Sequence, residues 1–197
     1  MTKKENTSMN LRMTVYVALF TALIIIGGYI SVPIPVGPVP IVLADFFVMV
    51  TGLFLGYKWG SISVALYLAL GALGLPVFAG GKAGLAILFG PTGGFLLGYF
   101  LVVLFIGLIA EKINTSKSKI TLVKNLAALI IGNIALYLVG VPWLKIAASM
   151  SWPAAIAAGF VPFIAGIAIK IVVAIILGQV LLPRFKQTIA QDRKSVV

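Results

Sequence analysis

The sequence predicts an all-α integral membrane protein with six transmembrane helices and both termini in the cytoplasm, and three observations support this fold class. Of the 197 residues, 61% are hydrophobic and only 10% are charged, whereas soluble domains are about 45–50% apolar and about 25% charged. The chain is long enough for about six apolar spans of roughly 20 residues each. Most of its lysines and arginines lie on alternate connections between those spans.

The predicted spans follow one another with short connections and form a single membrane domain. They cover residues 14–30, 41–56, 61–73, 94–110, 122–141 and 154–182. We expect residues 1–13 and 183–197 to be cytoplasmic tails, with no cleavable signal peptide and no internal repeat. Trp143 and Trp152, in the connector before the last span, are residue types suited to the lipid–water interface.

Basic residues predict the orientation of these spans. The two tails and the second and fourth loops contain Lys3, Lys4, Arg12, Lys58, Lys112, Lys117, Lys119, Lys124, Arg184, Lys186, Arg193 and Lys194. The opposite loops contain only Lys82 and Lys145, and Lys170 lies inside the last span. Because cytoplasmic loops are enriched in lysine and arginine, both termini are predicted to be cytoplasmic.

Two segments on the predicted outer side are too rich in glycine or proline to be regular helices. The stretch 74–98, GLPVFAGGKAGLAILFGPTGGFLLG, is as apolar as a span but includes Pro76, Pro91 and several glycines, which disfavour helix. Irregular backbone at membrane depth is tolerated only where protein buries it or where it lines a cavity. We therefore predict that residues 74–94, the glycine-rich segment, line a cavity; the alternative is an ordinary hydrophobic loop. Residues 31–40, the proline-rich segment, are predicted to form a second cover.

Three ionisable residues are candidates for a binding site. Asp45 lies near the start of the second span and Lys170 lies well inside the last one. A charged group at the centre of a span costs at least about 2.5–3.5 kcal/mol and usually faces a cavity or a partner, although a lysine can also snorkel to the headgroups. Lys82 is either solvated or a cation at the outer mouth. Together the three sum to +1, which suits a ligand with one carboxylate.

Other classes of function are disfavoured by what the chain lacks. There is no cysteine and no histidine, so we expect no catalytic residues and no metal site. Lys82 is followed by Ala83, so the phosphate-binding pattern G-x-x-x-x-G-K-[ST] fails and no nucleotide or other cofactor is expected. Missing repeats argue against a self-contained ion-coupled carrier. The net charge of +11 is spread between spans, so no nucleic-acid partner is expected.

Small residues on the first span form a possible helix-contact surface. Ala18 and Ala22 are four residues apart, so they lie on one face and allow another helix to approach closely. Spacing alone favours a partner helix from the same chain, the alternative being another protein.

Two adjoining stretches carry a family resemblance over about residues 14–182. PVPIVLADFFVMVTGLFLGYKWGSISVALYLALGALGLPVFAGG, followed by LFGPTGGFLLGYF, resembles the BioY family, the biotin-specific S components of energy-coupling factor (ECF) vitamin transporters. The pieces GLPVFAGG and FGPTGG in tandem are highly specific, and Tyr137-x-x-Gly140-x-x-Trp143-Leu144 also fits.

This resemblance implies the ECF S-component fold in a prokaryotic plasma membrane, with a biotin pocket near the outer face. It implies a membrane T subunit and two ATPase subunits as partners, so that ATP is used only by those subunits. It also implies that Ala18 and Ala22 contact the T subunit.

The family pattern fits the last span with one departure. There the family usually reads proline, aromatic, two residues, glycine-aspartate, two residues, lysine, with the aspartate and lysine at the ligand. Pro162, Phe163, Gly166 and Lys170 match, but Ile167 stands in place of the aspartate. The predicted substrate-binding residues are therefore Asp45, Lys82, Phe95, Tyr137, Phe163 and Lys170.

A biotin site without that aspartate needs another acceptor for the ureido N–H groups, because an unpaired buried polar group costs about 1–3 kcal/mol. Asp45 is the best candidate. Lys170 or Lys82 would bind the carboxylate in a charge-assisted hydrogen bond. The alternative is the same scaffold with another ligand, such as lipoate or another small carboxylate or heterocycle.

Overall fold

The computed structural model describes residues 3–111 and 119–194; the predicted cytoplasmic residues Lys112 and Lys117 lie outside these ranges. Within them the chain forms α1 (Lys3–Tyr29), β1 (Ser31–Val32), β2 (Ile41–Val42), α2 (Ala44–Ala72), α3 (Leu85–Phe89), α4 (Gly93–Glu111), α5 (Lys119–Ala147), α6 (Trp152–Gly159) and α7 (Ile164–Lys194). The two strands pair antiparallel, with Ser31 opposite Val42.

Helices long and apolar enough to cross a membrane dominate the fold. Among the described residues there are five, and their apolar stretches are Leu11–Tyr29, Ala44–Ala72, Gly93–Ala110, Thr121–Ala147 and Trp152–Phe185. In the most apolar window of the last stretch, only 11% of the residues are buried. An apolar surface of that size belongs against lipid or another protein. The all-α membrane class is thus confirmed, while the number of crossings and the orientation of the termini stay predictions.

Helix α2 contains a chain reversal, which explains why five long helices can hold six predicted spans. Gly56 has φ +71° and ψ −175°, a left-handed φ that favours glycine. A Cβ atom built on Gly60 would lie 3.5 Å from the carbonyl oxygen of Thr51, although nine residues of straight helix span about 13.5 Å. The turn comes at the start of the predicted GYKWG turn, and Gly107 of α4 leaves room for it, since a Cβ there would collide with Tyr57.

The predicted last span is wrong in one respect, because the helix is broken. Helix α6 begins after Ser151, whose hydroxyl accepts a hydrogen bond from Ala154 N, a typical N-cap. It ends at Gly159, and a 3₁₀ turn over Val161–Phe163 separates it from α7. Pro162 in that turn cannot donate the hydrogen bond that would continue a helix.

Two further boundaries differ from the prediction. Helix α5 runs through Pro142 to Ala147, so Trp143 lies in a helix rather than in a connector. Helix α7 continues through Pro183 to Lys194, where a basic tail was predicted. In both helices the proline is accommodated inside the helix.

Small residues allow α2, α4 and α5 to pack closely. A Cβ on Gly98 would lie 2.7 Å from a Leu136 side-chain carbon, and one on Gly132 would lie 2.8 Å from an Ile106 carbon. Helices of membrane proteins approach closely at such positions. On the other side of α2, the Thr21 hydroxyl of α1 donates to the Ser63 carbonyl oxygen at 3.1 Å. These contacts hold together the bundle that carries the cavity.

Candidate ligand-binding cavity

A cavity of about 220 Å³ lies between the proline-rich and glycine-rich segments and the adjoining helix ends. Pro38, Val39 and Pro40 line it from the proline-rich segment, and Phe78, Lys82 and Thr92 line it from the glycine-rich segment. The prediction that residues 74–94 line a cavity is confirmed. Residues 31–40 were predicted to form a second cover over the cavity, and the positions of Pro38, Val39 and Pro40 in its wall agree with that prediction.

The glycine-rich segment is ordered around one buried ring, that of Phe78. This side chain is 0% exposed and its ring lies 5.5 Å from the Tyr67 ring, edge to face. The ring packs directly against Gly71, where a Cβ would collide with it. A side chain at position 71 is therefore excluded while Phe78 keeps this position.

Lys82 is held at the cavity by a tight turn. Phe78 N donates to the Lys82 carbonyl oxygen and Gly81 N donates to the Phe78 carbonyl oxygen, both at 2.9 Å. Gly80 and Gly81 have φ values of +67° and +77°, which glycine adopts without steric cost. The turn fixes the backbone of Lys82, a residue that lines the cavity and whose side chain is exposed.

Helices α1 and α5 anchor the glycine-rich segment. The Tyr29 hydroxyl, at the end of α1, donates to the Pro76 carbonyl oxygen. Trp143 Nε1 of α5 donates to the Gly90 carbonyl oxygen at 3.0 Å. The half-buried indole of Trp143 therefore holds the segment beside the cavity, a role that the sequence did not predict, while its position at the lipid–water interface stays a prediction.

Asp45 and Lys170 form a buried ion pair beside the cavity. Lys170 Nζ lies 2.7 Å from Asp45 Oδ1 and 2.9 Å from Oδ2, and it also donates to the Val42 carbonyl oxygen at 2.7 Å. The two residues are 7% and 9% exposed. The interior position of Lys170 is confirmed and snorkelling is excluded. Two neighbours of the pair, Val42 and Ala44, line the cavity.

The other predicted substrate-binding residues form an aromatic group that begins at the cavity wall. Phe95 lines the cavity and its ring lies 5.8 Å from that of Tyr137. The Tyr137 ring lies 6.3 Å from Phe163 and 5.1 Å from Phe160. Of the six predicted residues, only Lys82 and Phe95 line the cavity, and the other four lie behind its wall or beyond Phe95.

Sequence reasoning did not select several cavity residues. Tyr67, Phe78 and Tyr99 line the cavity with Thr92, but nothing in their spacing separates these aromatic residues from those that face lipid or core. The Asp45–Lys170 pairing also went unpredicted. Its signal was available in principle, since buried charges of opposite sign in two spans tend to pair with one another.

Ala18 and Ala22 both face outward from α1. They are exposed, together with Val15, Leu19 and Ile26 on the same helix. The expectation from spacing alone, that these alanines pack against another helix of this chain, is therefore wrong.

The fold and the cavity define the class of protein: a helical membrane protein with a small-molecule-sized cavity between loops and helix ends. A family model described as the BioY family matches residues 1–187. The chain belongs to the BioY family, and with its relatives this makes it a multi-pass plasma-membrane protein that is not an enzyme.

Relatives and a solved structure agree with this assignment. The chain is 42% identical to "Biotin transporter BioY" of Thermotoga maritima, over 85% of this chain and 94% of the relative. It is 40% identical to "Biotin transporter BioY" of Rhizobium etli, over 87% of this chain and 93% of the relative. A crystal structure of the S-component for biotin from an ECF-type ABC transporter matches with a TM-score of 0.81 and 32% identity, over 92% of this chain and 94% of that one. This likeness confirms the predicted S-component fold.

Proposed function

We propose that this protein is the substrate-binding S component of an ECF-type transporter and that it binds biotin for uptake. The observation that carries the proposal is the cavity beneath the glycine-rich segment, in a chain that belongs to the BioY family. At about 220 Å³ it falls below the roughly 300–1,000 Å³ of typical ligand pockets, so the ligand is small. Relatives named as biotin transporters support biotin over lipoate.

Its walls suit the chemistry of biotin, a fused bicycle with a thioether sulfur, a ureido group and a carboxylate on an aliphatic chain. Phe78, Phe95, Tyr67 and Tyr99 supply aromatic surface around the cavity. Aromatic rings pack favourably on apolar rings and make attractive contacts with sulfur. The bicycle therefore belongs against these rings.

Asp45 is proposed as an acceptor for a ureido N–H. A carboxylate offers about four lone-pair sites, and in this structure Oδ1 accepts from Lys170 and from Phe46 N, while Oδ2 accepts from Lys170. Because Asp45 lies behind the cavity wall, a ureido N–H would have to reach Oδ2 past Val42 and Ala44. Tests of this role are Asp45→Asn, which should weaken biotin binding, and Ile167→Asp, which should alter it; unchanged affinity in both variants would exclude Asp45 as the acceptor.

Transport energy is proposed to come from a T subunit and two ATPase subunits, with ATP bound only by those partners. The exposed face of α1 with Ala18 and Ala22 supports such a contact, because small residues allow close approach of a second helix within a membrane.

Ligand identity is the decisive test of this function. The protein purified in detergent should carry biotin that mass spectrometry detects, and biotin titrated into ligand-free protein should bind more tightly than lipoate. Cells should take up labelled biotin only when the T and ATPase subunits are produced together with this chain. Tight lipoate binding without biotin binding would contradict the proposal, and uptake without the ATPases would identify an autonomous carrier.

A further inference from the structure

We propose that Lys82, and not Lys170, binds the carboxylate of the ligand. Asp45 and Lys170 form an ion pair with no net charge, which leaves Lys170 unable to bind that carboxylate. The inference rests on the proposed function and decides between the two lysines that the sequence left as alternatives.

All three N–H donors of the Lys170 ammonium group are used within the protein. An ammonium group has three N–H bonds, and Lys170 Nζ has three acceptors within 2.9 Å: the Val42 carbonyl oxygen and both oxygens of Asp45. A ligand carboxylate at Lys170 would have to displace Asp45 and leave that buried carboxylate unpaired, which is strongly unfavourable. Lys170 is therefore committed to the protein itself.

Lys82 is in the opposite situation. It lines the cavity, and among the residues that the structure describes no carboxylate lies within salt-bridge distance of Lys82. The turn through Phe78 and Gly81 fixes its backbone through two hydrogen bonds. The exposed side chain therefore extends from a fixed backbone at the cavity, with ammonium donors available for a ligand.

The net charge of the site leads to the same assignment. Asp45 and Lys170 cancel one another at 2.7 Å, so Lys82 supplies the net positive charge of the site. A single cation at an otherwise aromatic and proline-lined cavity selects a ligand with one negative charge at one end and apolar groups at the other. A charge-assisted hydrogen bond to that end is about twice as strong as a neutral one.

The test compares biotin with biotinamide, its neutral primary amide, on the purified full-length protein. Wild type should prefer the acid by about 10- to 100-fold, the range expected when a hydrogen bond to a charged group is lost. Lys82→Gln should weaken biotin binding by a similar factor, leave biotinamide binding within about 3-fold, and so abolish the preference; Lys82→Arg should retain it. The matched control is Lys145→Gln, because Lys145 is the other lysine of the predicted outer loops and lies over Trp152, not at the cavity.

Three outcomes would contradict the assignment. Equal weakening of acid and amide by Lys82→Gln would show that Lys82 supports the turn and not the carboxylate. The carboxylate would be assigned to Lys170 if two results came together. Lys82→Gln would keep the preference for biotin over biotinamide, and the double variant Asp45→Leu with Lys170→Met would lose it. If wild type bound neither compound, the proposed function would itself fail, and this assignment with it.

Discussion

Lys170 Nζ lies 2.7 Å from Asp45 Oδ1, and this buried pair joins the second turn of α7 to the first turn of α2 behind the cavity wall. The two partners are 125 positions apart in the sequence, so the pair is a long-range contact. Through the Val42 carbonyl oxygen it also holds β2, which follows the proline-rich segment and pairs with β1 at the start of that segment. The pair therefore organises one side of the cavity without supplying it with charge.

Removal of either partner should destabilise the protein more than removal of both. Asp45→Leu or Lys170→Met leaves one buried charge unpaired, which costs about 3–5 kcal/mol, whereas replacing a buried pair by apolar residues is often close to neutral. Thermal unfolding in detergent should show a large fall in midpoint for each single variant and a smaller fall for the double variant.

A double variant as unstable as the sum of the two single variants would contradict this account of the pair. The control is Lys58→Gln, since Lys58 is exposed and its ammonium lies over the face of Trp59, 5.8 Å from the ring centroid; such a surface change should shift stability by no more than about 1 kcal/mol.

Gly71→Ala should damage the cavity although it adds one methyl group. The new Cβ would occupy the position of the buried Phe78 ring, and overpacking of this kind costs about 1–3 kcal/mol. Phe78 and the turn that carries Lys82 must then move, so both the unfolding midpoint and biotin affinity should fall. The measurements are thermal unfolding and equilibrium binding on the same preparation.

Gly178→Ala is the matched control for this change, because it too lies in a long apolar helix. Its Cβ would meet the nearest atom, on Leu53, at 3.8 Å, which is ordinary contact, and alanine is the better helix former. Stability should stay constant or rise. If Gly71→Ala and Gly178→Ala changed the unfolding midpoint and biotin affinity equally, a collision with Phe78 would not explain the effect at position 71.

Tyr29→Phe should loosen the glycine-rich segment. The variant removes the hydrogen bond from the Tyr29 hydroxyl to the Pro76 carbonyl oxygen, and such a bond contributes about 0.5–1.5 kcal/mol. If the segment opens for the ligand to leave, labelled biotin should dissociate about 2- to 10-fold faster. Backbone amides of residues 77–84 should also exchange hydrogen faster in ligand-free protein.

Tyr57→Phe serves as the control, since the Tyr57 side chain is exposed and is not among the residues that line the cavity. An unchanged exchange rate at residues 77–84 in Tyr29→Phe would show that the bond does not restrain the segment.

The sequence predicted those parts of the fold that depend on local chemistry. Apolar composition indicated the spans, and the prolines and glycines of residues 31–40 and 74–94 indicated irregular backbone. The cost of a charge in a span indicated that Lys170 is interior. Each of these follows from neighbours along the chain, so a single sequence was sufficient.

Long-range partners could not be predicted in the same way. The bond from Trp143 to Gly90 joins residues 53 apart, and nothing near Trp143 distinguishes an indole that anchors a loop from one at the lipid interface. The break at Phe160 was missed because an apolar segment with one proline is also compatible with a kinked helix. The reversal at Gly56 needed the space that Gly107 of another helix provides.

Enlarging the outward face of α1 should separate ligand binding from transport. Ala18 and Ala22 are exposed, so Ala18→Leu and Ala22→Leu add apolar volume on the outward face of α1. If a T-subunit helix packs closely on this face, each variant should bind biotin like wild type in detergent, yet support less uptake and co-purify with less T subunit.

Ala127→Leu is the control, because Ala127 is exposed on α5. Equal loss of uptake in all three variants would reflect general damage in the membrane, and full uptake in the α1 variants would place the T subunit on another surface.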